Sequence, residues 1–167
     1  GLERMRQYMS DERLSFEEAR ELVRASQLFT THTPVPAGHD AFEEDLVRAY
    51  MGHYPQRFTI TWERFVGFGR TDPADRAEKF SMSNLAANLS ASINGVSQLH
   101  GKVSQRMFAG LWPGYYPSEN HVGFVTNGVH YPTWIADCWR PILHSSSDID
   151  SLPAWNGLES VPDEKLW

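Results

Sequence analysis

Three apolar, strand-like runs each end on a polar or glycine element, and each is followed by helix or aromatic structure. No other feature of the chain constrains its fold as strongly. The first run is "SQLFTTHTPVPAGHD", Ser26 to Asp40. A short, largely buried strand is expected over Ser26 to Thr31, after which Pro34 and Pro36 forbid further regular structure. The second lies in "SMSNLAANLSASINGVSQLHGKVSQRMF", where Leu85, Ala87 and Leu89 alternate as a strand would, although a helix also fits. After Asn94-Gly95, the spacing of Ile93, Val96, Leu99, Val103 and Met107 by threes and fours predicts an amphipathic helix. The third is "HVGFVTNGVHYPTWIAD", an apolar strand, Asn127-Gly128, and an aromatic segment after Pro132. The alternation is an α/β pattern. In open α/β sheets ligands sit at the carboxyl ends of the strands, and His32, Asn94 and Asn127 all fall at such ends.

Helices punctuate the rest. Leu2 to Met9 suits a short helix. Ser15 and Glu18 form a capping box ahead of a stripe of Phe16, Ala19, Leu22 and Val23. Asp40 to Glu43 repeats the cap more weakly, with Phe42, Leu46 and Tyr50 expected on one face. A helix is expected from Trp62 to Phe68, ended by Gly67, Gly69 and Asp72-Pro73, in a middle region that reads as surface. Ser145 to Trp167 reads as a connector.

At 167 residues the chain is about one domain's worth. A net charge of −6 argues against a nucleic-acid partner, which would need a basic face. No apolar run approaches the ~20 residues that span a bilayer, and the start lacks a signal-peptide core. The lone Cys138 fits a reducing, cytoplasmic setting. Seven histidines offer no HxxxH or HExxH spacing and Cys138 has no CxxC partner, so no metal is expected. Phosphate-loop and nucleophile-elbow motifs are absent from the sequence. Glu17-Glu18 and Glu43-Glu44 sit at helix starts, where capping and the helix dipole account for them.

What remains suits a neutral, hydroxyl-rich ligand. Histidine and asparagine side chains both donate and accept hydrogen bonds, as sugar hydroxyls require. Trp112, Tyr115, Tyr116, Tyr131 and Trp134 offer flat faces for sugar rings, although Trp112 and Tyr115 read better as structural anchors. A lone histidine after a strand is more often structural than catalytic, and Asn-Gly is more often simply a turn.

"TTHTPVPAGHDAF", "INGVSQLHGKVSQRMF" and "FVTNGVHYPTW" together, in order from Thr30 to Trp134, resemble the α-glucan (glycogen, starch and maltodextrin) phosphorylases of the shorter bacterial and archaeal type. The resemblance implies part of the amino-terminal, Rossmann-like domain of a glycosyltransferase-B fold, helix-rich with a few strands. Residues 1–136 would belong to the glucan-binding domain, and 137–167 to a connector towards the cofactor-binding domain. The implied reaction transfers a terminal α-1,4-linked glucose to inorganic phosphate, giving glucose 1-phosphate, with pyridoxal 5′-phosphate as cofactor. By motif position, His32 and Asn127 resemble the catalytic pair that hydrogen-bonds the glucose 6-hydroxyl. Thr33, Asn94, Gly95 and Val96 resemble the pocket-lining, substrate-binding segments, and Trp134 the tryptophan packed near the cofactor. Lys79, Lys102 and Lys165, the chain's three lysines, do not resemble the family's Schiff-base lysine in context. The fragment is therefore expected to be inactive alone and open to self-association. A non-catalytic carbohydrate-binding module and a nucleotide-sugar glucan synthase are the alternatives.

Overall fold

The computed structural model of the chain describes residues 1–143 and 161–166. It comprises two units, Gly1–Thr126 and Asn127–Trp167. In chain order the first contains α1 (Leu2–Asp11), α2 (Phe16–Ala25), β1 (Leu28–Thr30), β2 (Ala41–Phe42), α3 (Glu44–Met51), α4 (Tyr54–Phe58) and α5 (Trp62–Gly67). There follow β3 (Phe80–Ser81), α6 (Met82–Asn88), β4 (Ser92–Gly95), α7 (Gln98–Met107) and β5 (Val122–Phe124). The α/β character is as expected.

The capping box forms as the sequence indicates. The Ser15 N–H donates to Glu18 at 2.9 Å and the Glu18 N–H to Ser15 Oγ at 3.4 Å. Helix α2 buries Phe16, Ala19 and Val23, while Leu22 is 44% exposed and leaves the expected stripe. These side chains join Met5, Val47, Phe58, Phe65, Phe80, Leu85 and Leu89 in a helical cluster. Two expectations change here. The segment around α5 is not surface, because Phe65 and Val66 are 0% and 1% exposed. Helix α3 buries Val47, with Leu46 and Tyr50 facing solvent and Phe42 in β2; its N-cap, Glu43, makes no side-chain cap bond.

Arg70 is buried, 4% exposed, and donates to Glu44 Oε2 at 2.8 Å and to the Glu78 carbonyl at 2.9 Å. Glu44 also accepts from Trp62 Nε1 at 2.6 Å and from Arg48 at 3.2 Å. The Trp62 indole above all, with Arg70 and Arg48, holds the Glu44 carboxyl below the usual carboxylate range, against the burial that would raise it.

The stretch Leu85 to Leu89 is helical. Ser81 Oγ accepts the Asn84 N–H at 3.3 Å and starts α6. Leu85 and Leu89, one turn apart, face the helical cluster, whereas Ala87 faces a second cluster with Ile93, Phe108 and Val122. A helix buried on two sides hides alternate residues just as a strand does. The strand itself comes later, as β4. It is the centre of a parallel sheet of order β1-β4-β5, with Phe29, Ile93 and Val122 aligned in one row and Thr30, Asn94 and Gly123 in the next. β1 is half-buried rather than largely buried, with Leu28 60% exposed. β2 and β3 pair antiparallel.

Helix α7 begins later than expected, at Gln98, after Ile93 has served in β4. Its buried face is His100, Gly101 and Ser104, and Leu99 is 72% exposed. Close approach explains the choice of residues. A Cβ on Gly95 would stand 2.7 Å from the Gly101 nitrogen, and one on Gly101 would stand 2.9 Å from Phe124 Cβ. At Gly101 itself there is no room for a side chain.

In the second unit α8 (Tyr131–Trp134) is followed by a 3₁₀ turn at Asp137–Trp139, α9 (Arg140–Leu143) and, further on, α10 (Asp163–Leu166). Arg140 donates to Asp137 at 3.0 Å and to the Pro132 carbonyl at 2.9 Å. Most of the expected connector lies outside the described residues.

Candidate functional site at the carboxyl edge of the sheet

Because all three strands of the sheet run parallel, the ends of β1, β4 and β5 open on one edge. The ladder continues one residue past each outer strand. The Thr31 N–H donates to the Asn94 carbonyl at 3.0 Å, and the Val125 N–H to the Gly95 carbonyl at 2.9 Å. Thr31 is 3% exposed, so His32 is the first residue released from the sheet, and it is exposed. Extended backbone ending in a buried threonine presents the next side chain outward, as the first sequence run suggests.

The loop beyond His32 is held from the side. His39 Nε2 lies 3.2 Å from the Thr33 carbonyl and Nδ1 lies 2.6 Å from Ser83 Oγ on α6. A carbonyl can only accept, so Nε2 carries the hydrogen and Nδ1 accepts from the Ser83 hydroxyl. Gly38 lies against Thr33, where a Cβ would come within 2.8 Å of Thr33 Oγ1. His39 thus anchors the main chain one residue past His32.

Asn94 is 8% exposed and its side chain works within the edge. Its Oδ1 accepts the Thr30 hydroxyl at 2.9 Å, tying β4 to β1 across their aligned residues. Neither Asn94 nor Gly95 adopts a positive φ, so the Asn-Gly pair is not a left-handed turn. Gly95 is required by the backbone of α7. Val96 follows, half-buried, with its N–H donating to His100 Nδ1 at 3.2 Å. Ser97 Oγ accepts the His100 N–H at 3.2 Å and caps the helix. His100 Nε2 and Ser104 Oγ are buried without a partner, each an arrangement that costs about 1–3 kcal/mol.

The structure therefore brings His32, Thr33, Asn94, Gly95 and Val96 to one sheet edge. Asn127 and Trp134 belong to the second unit. There, Asn127 is exposed, and Trp134 is 76% exposed on α8. Neither lysine with a described side chain is set in a closed pocket: Lys79 pairs with Glu43 at 2.7 Å and Lys102 is exposed on α7. Among the described lysine side chains, therefore, no amine is enclosed. No group of three or more metal-ligating side chains forms among the described residues, and no helix there is long and apolar enough to cross a membrane. Sequence reading missed His39 and His100, which act through main-chain atoms of residues it did single out. Their only sequence signal is a histidine a few places after a candidate residue.

Helices around a small parallel sheet, with imidazole, carboxamide and hydroxyl groups at its carboxyl edge, define an α/β protein. The chain belongs to the carbohydrate phosphorylase family, whose profile matches residues 2–149. It is 41% identical over its whole length to a glycogen phosphorylase of Mycobacterium tuberculosis, covering 20% of that protein. It is 36% identical over its whole length to a maltodextrin phosphorylase of Thermococcus litoralis, again covering 20%. With a glycogen phosphorylase of Aquifex aeolicus it shares 30% identity, over 92% of this chain and 22% of that protein. The chain thus spans about a fifth of the length of these curated relatives.

Proposed function

We propose that the chain forms one wall of the glucose pocket of an α-glucan phosphorylase, which transfers a terminal α-1,4-linked glucose to inorganic phosphate. The observation that carries the reading is His32, set free at the carboxyl edge of the sheet in a chain matched to the family over residues 2–149. The chain would be part of the amino-terminal domain of a glycosyltransferase-B fold, with residues 137–167 leading towards the cofactor-binding domain. An imidazole at His32 and a carboxamide at Asn127 can each donate to and accept from the glucose 6-hydroxyl. Fixing the ring in this way removes rotational freedom from the reacting sugar, a form of orientation that contributes several kcal/mol to rate. Thr33, Asn94, Gly95 and Val96 line the pocket through the main chain that His39 and α7 hold in place.

In this reading pyridoxal 5′-phosphate would supply a phosphate group for acid–base chemistry, with Trp134 the residue of this chain that would stand near it and none of Lys79, Lys102 or Lys165 its attachment lysine. The setting is cytoplasmic. The apolar surface formed by Leu46, Tyr50 and Met82, all exposed, favours self-association of the chain on its own.

The test is phosphorolysis of maltodextrin by the full-length parent and its His32→Ala and Asn127→Ala variants, with folding checked by circular dichroism. The parent is expected to use phosphate and not ADP- or UDP-glucose, and each variant to lose about a hundredfold in kcat/KM. Two folded variants with undiminished turnover would sink the assignment.

A further inference from the structure

We infer that His100 is a positioning residue, whose Nδ1 fixes the Val96 main chain at the sugar-binding edge. The inference rests on the reading of Val96 as part of the glucose pocket. The Val96 N–H donates to His100 Nδ1 at 3.2 Å. An amide N–H cannot accept, so Nδ1 is the acceptor and the neutral ring carries its hydrogen on Nε2. That Nε2–H is buried with no partner, and so is Ser104 Oγ, one turn along the same helix.

Two orphaned polar atoms on one buried face are a poor solution for packing. A leucine or methionine would fill similar volume with nothing left unsatisfied. What the imidazole adds is a single acceptor carried on a rigid support. The support is rigid because Ser97 closes the first turn, accepting the His100 N–H at 3.2 Å and the Gly101 N–H at 2.8 Å. It is also pressed against β4, where a Cβ on Gly95 would stand 2.7 Å from the Gly101 nitrogen. Val96 lies past the last residue of β4 and before the cap of α7, and the bond to His100 holds it there. With its N–H engaged internally, Val96 meets a ligand through its other atoms.

Three substitutions in the full-length parent separate this role from packing. His100→Asn places its Oδ1 where Nδ1 stands, His100→Gln carries its polar atoms further out near Nε2, and His100→Leu fills space with no acceptor. Kinetics with glucose 1-phosphate and maltodextrin, thermal midpoint, and hydrogen–deuterium exchange of the peptide bearing Val96 are read for each. The Asn variant is expected to keep kcat/KM and slow exchange at Val96. The Leu and Gln variants are expected to lose about tenfold or more in kcat/KM and to exchange faster there, with the Leu midpoint at or above that of the parent. A Leu variant with full activity and a still-protected Val96 amide overturns the inference. So does a common loss by all three that tracks the thermal midpoint. A parent without phosphorolysis would refute the pocket reading instead. Exchange at Val96 then decides the positioning role alone, slower in parent and Asn variant than in Leu if it holds, equal if it fails.

Discussion

Gly95→Ala tests how α7 is set against the sheet. The added methyl would stand 2.7 Å from the Gly101 nitrogen, 3.0 Å from the Gly101 Cα and 3.0 Å from the His100 carbonyl carbon. All three are backbone atoms, so no side chain can swing aside, and the helix must retreat by about 0.7 Å to restore ordinary contact. Overpacking of this kind costs about 1–3 kcal/mol. Loss of glycine's freedom in the unfolded chain offsets about 0.4–1 kcal/mol of that. The net expectation centres on a destabilisation of about 1.3 kcal/mol, which for a urea slope of about 2 kcal/mol/M lowers the midpoint by roughly 0.6 M. Gly123→Ala is the control. It lies in the neighbouring strand, nothing stands within 4 Å of its Cβ position, and its φ is not positive. The same unfolded-state term then acts alone, leaving stability unchanged or raised by up to about 1 kcal/mol. Urea unfolding followed by tryptophan fluorescence compares the two. If Gly95→Ala matches the unmodified chain, or if both alanines destabilise equally, the close-approach account fails.

Acid titration should expose the Arg70–Glu44 pair. Glu44 titrates lower in the folded chain than in the unfolded one. Its contribution is complete above the ordinary carboxylate value of about 4.3 and fades as pH falls through the lower folded value. Urea midpoints between pH 6 and pH 3 should therefore decline less steeply for Glu44→Gln than for the unmodified chain, and identical slopes would contradict the assignment. Glu44→Ala leaves the guanidinium of Arg70, 4% exposed, with the Glu78 carbonyl but no carboxylate, at an expected cost of about 2–4 kcal/mol in unfolding free energy. Ser15→Ala removes the acceptor for the Glu18 N–H at the start of α2 and should cost about 1 kcal/mol in the same assay.

The parts legible in the sequence were those set by local rules. The Ser15–Glu18 box, the stop after Thr31 and the helix that follows Asn94-Gly95 each depend on residues a few places apart. The errors arose where tertiary packing chooses the buried face. Leu85, Ala87 and Leu89 resemble a strand because α6 sits between two clusters, and nothing in that stretch reveals the second neighbour. The spacing by threes and fours sets Leu99 in a buried stripe, but α7 approaches the sheet through Gly101 and Ser104, and backbone proximity leaves no hydrophobic periodicity to read. Arg70 lies within a charged, proline-bearing stretch that reads as surface, and its burial depends on Glu44, a residue 26 positions away. The release of His32 from the sheet edge is legible from chain punctuation. The histidines that brace its surroundings act on main-chain atoms, which composition cannot show.

Only Val96 and Ser97 separate β4 from α7, and the two glycines leave no gap between strand end and helix. A joint that short has no play. Farther along the same helix the Gln105 side-chain amide donates to the Val122 carbonyl at 2.9 Å, and the Gln105 main-chain carbonyl accepts from the Asn120 side-chain amide at 2.8 Å. A displacement of α7 would therefore be shared with β5, so the strand–helix joint and the neighbouring strand are expected to shift together.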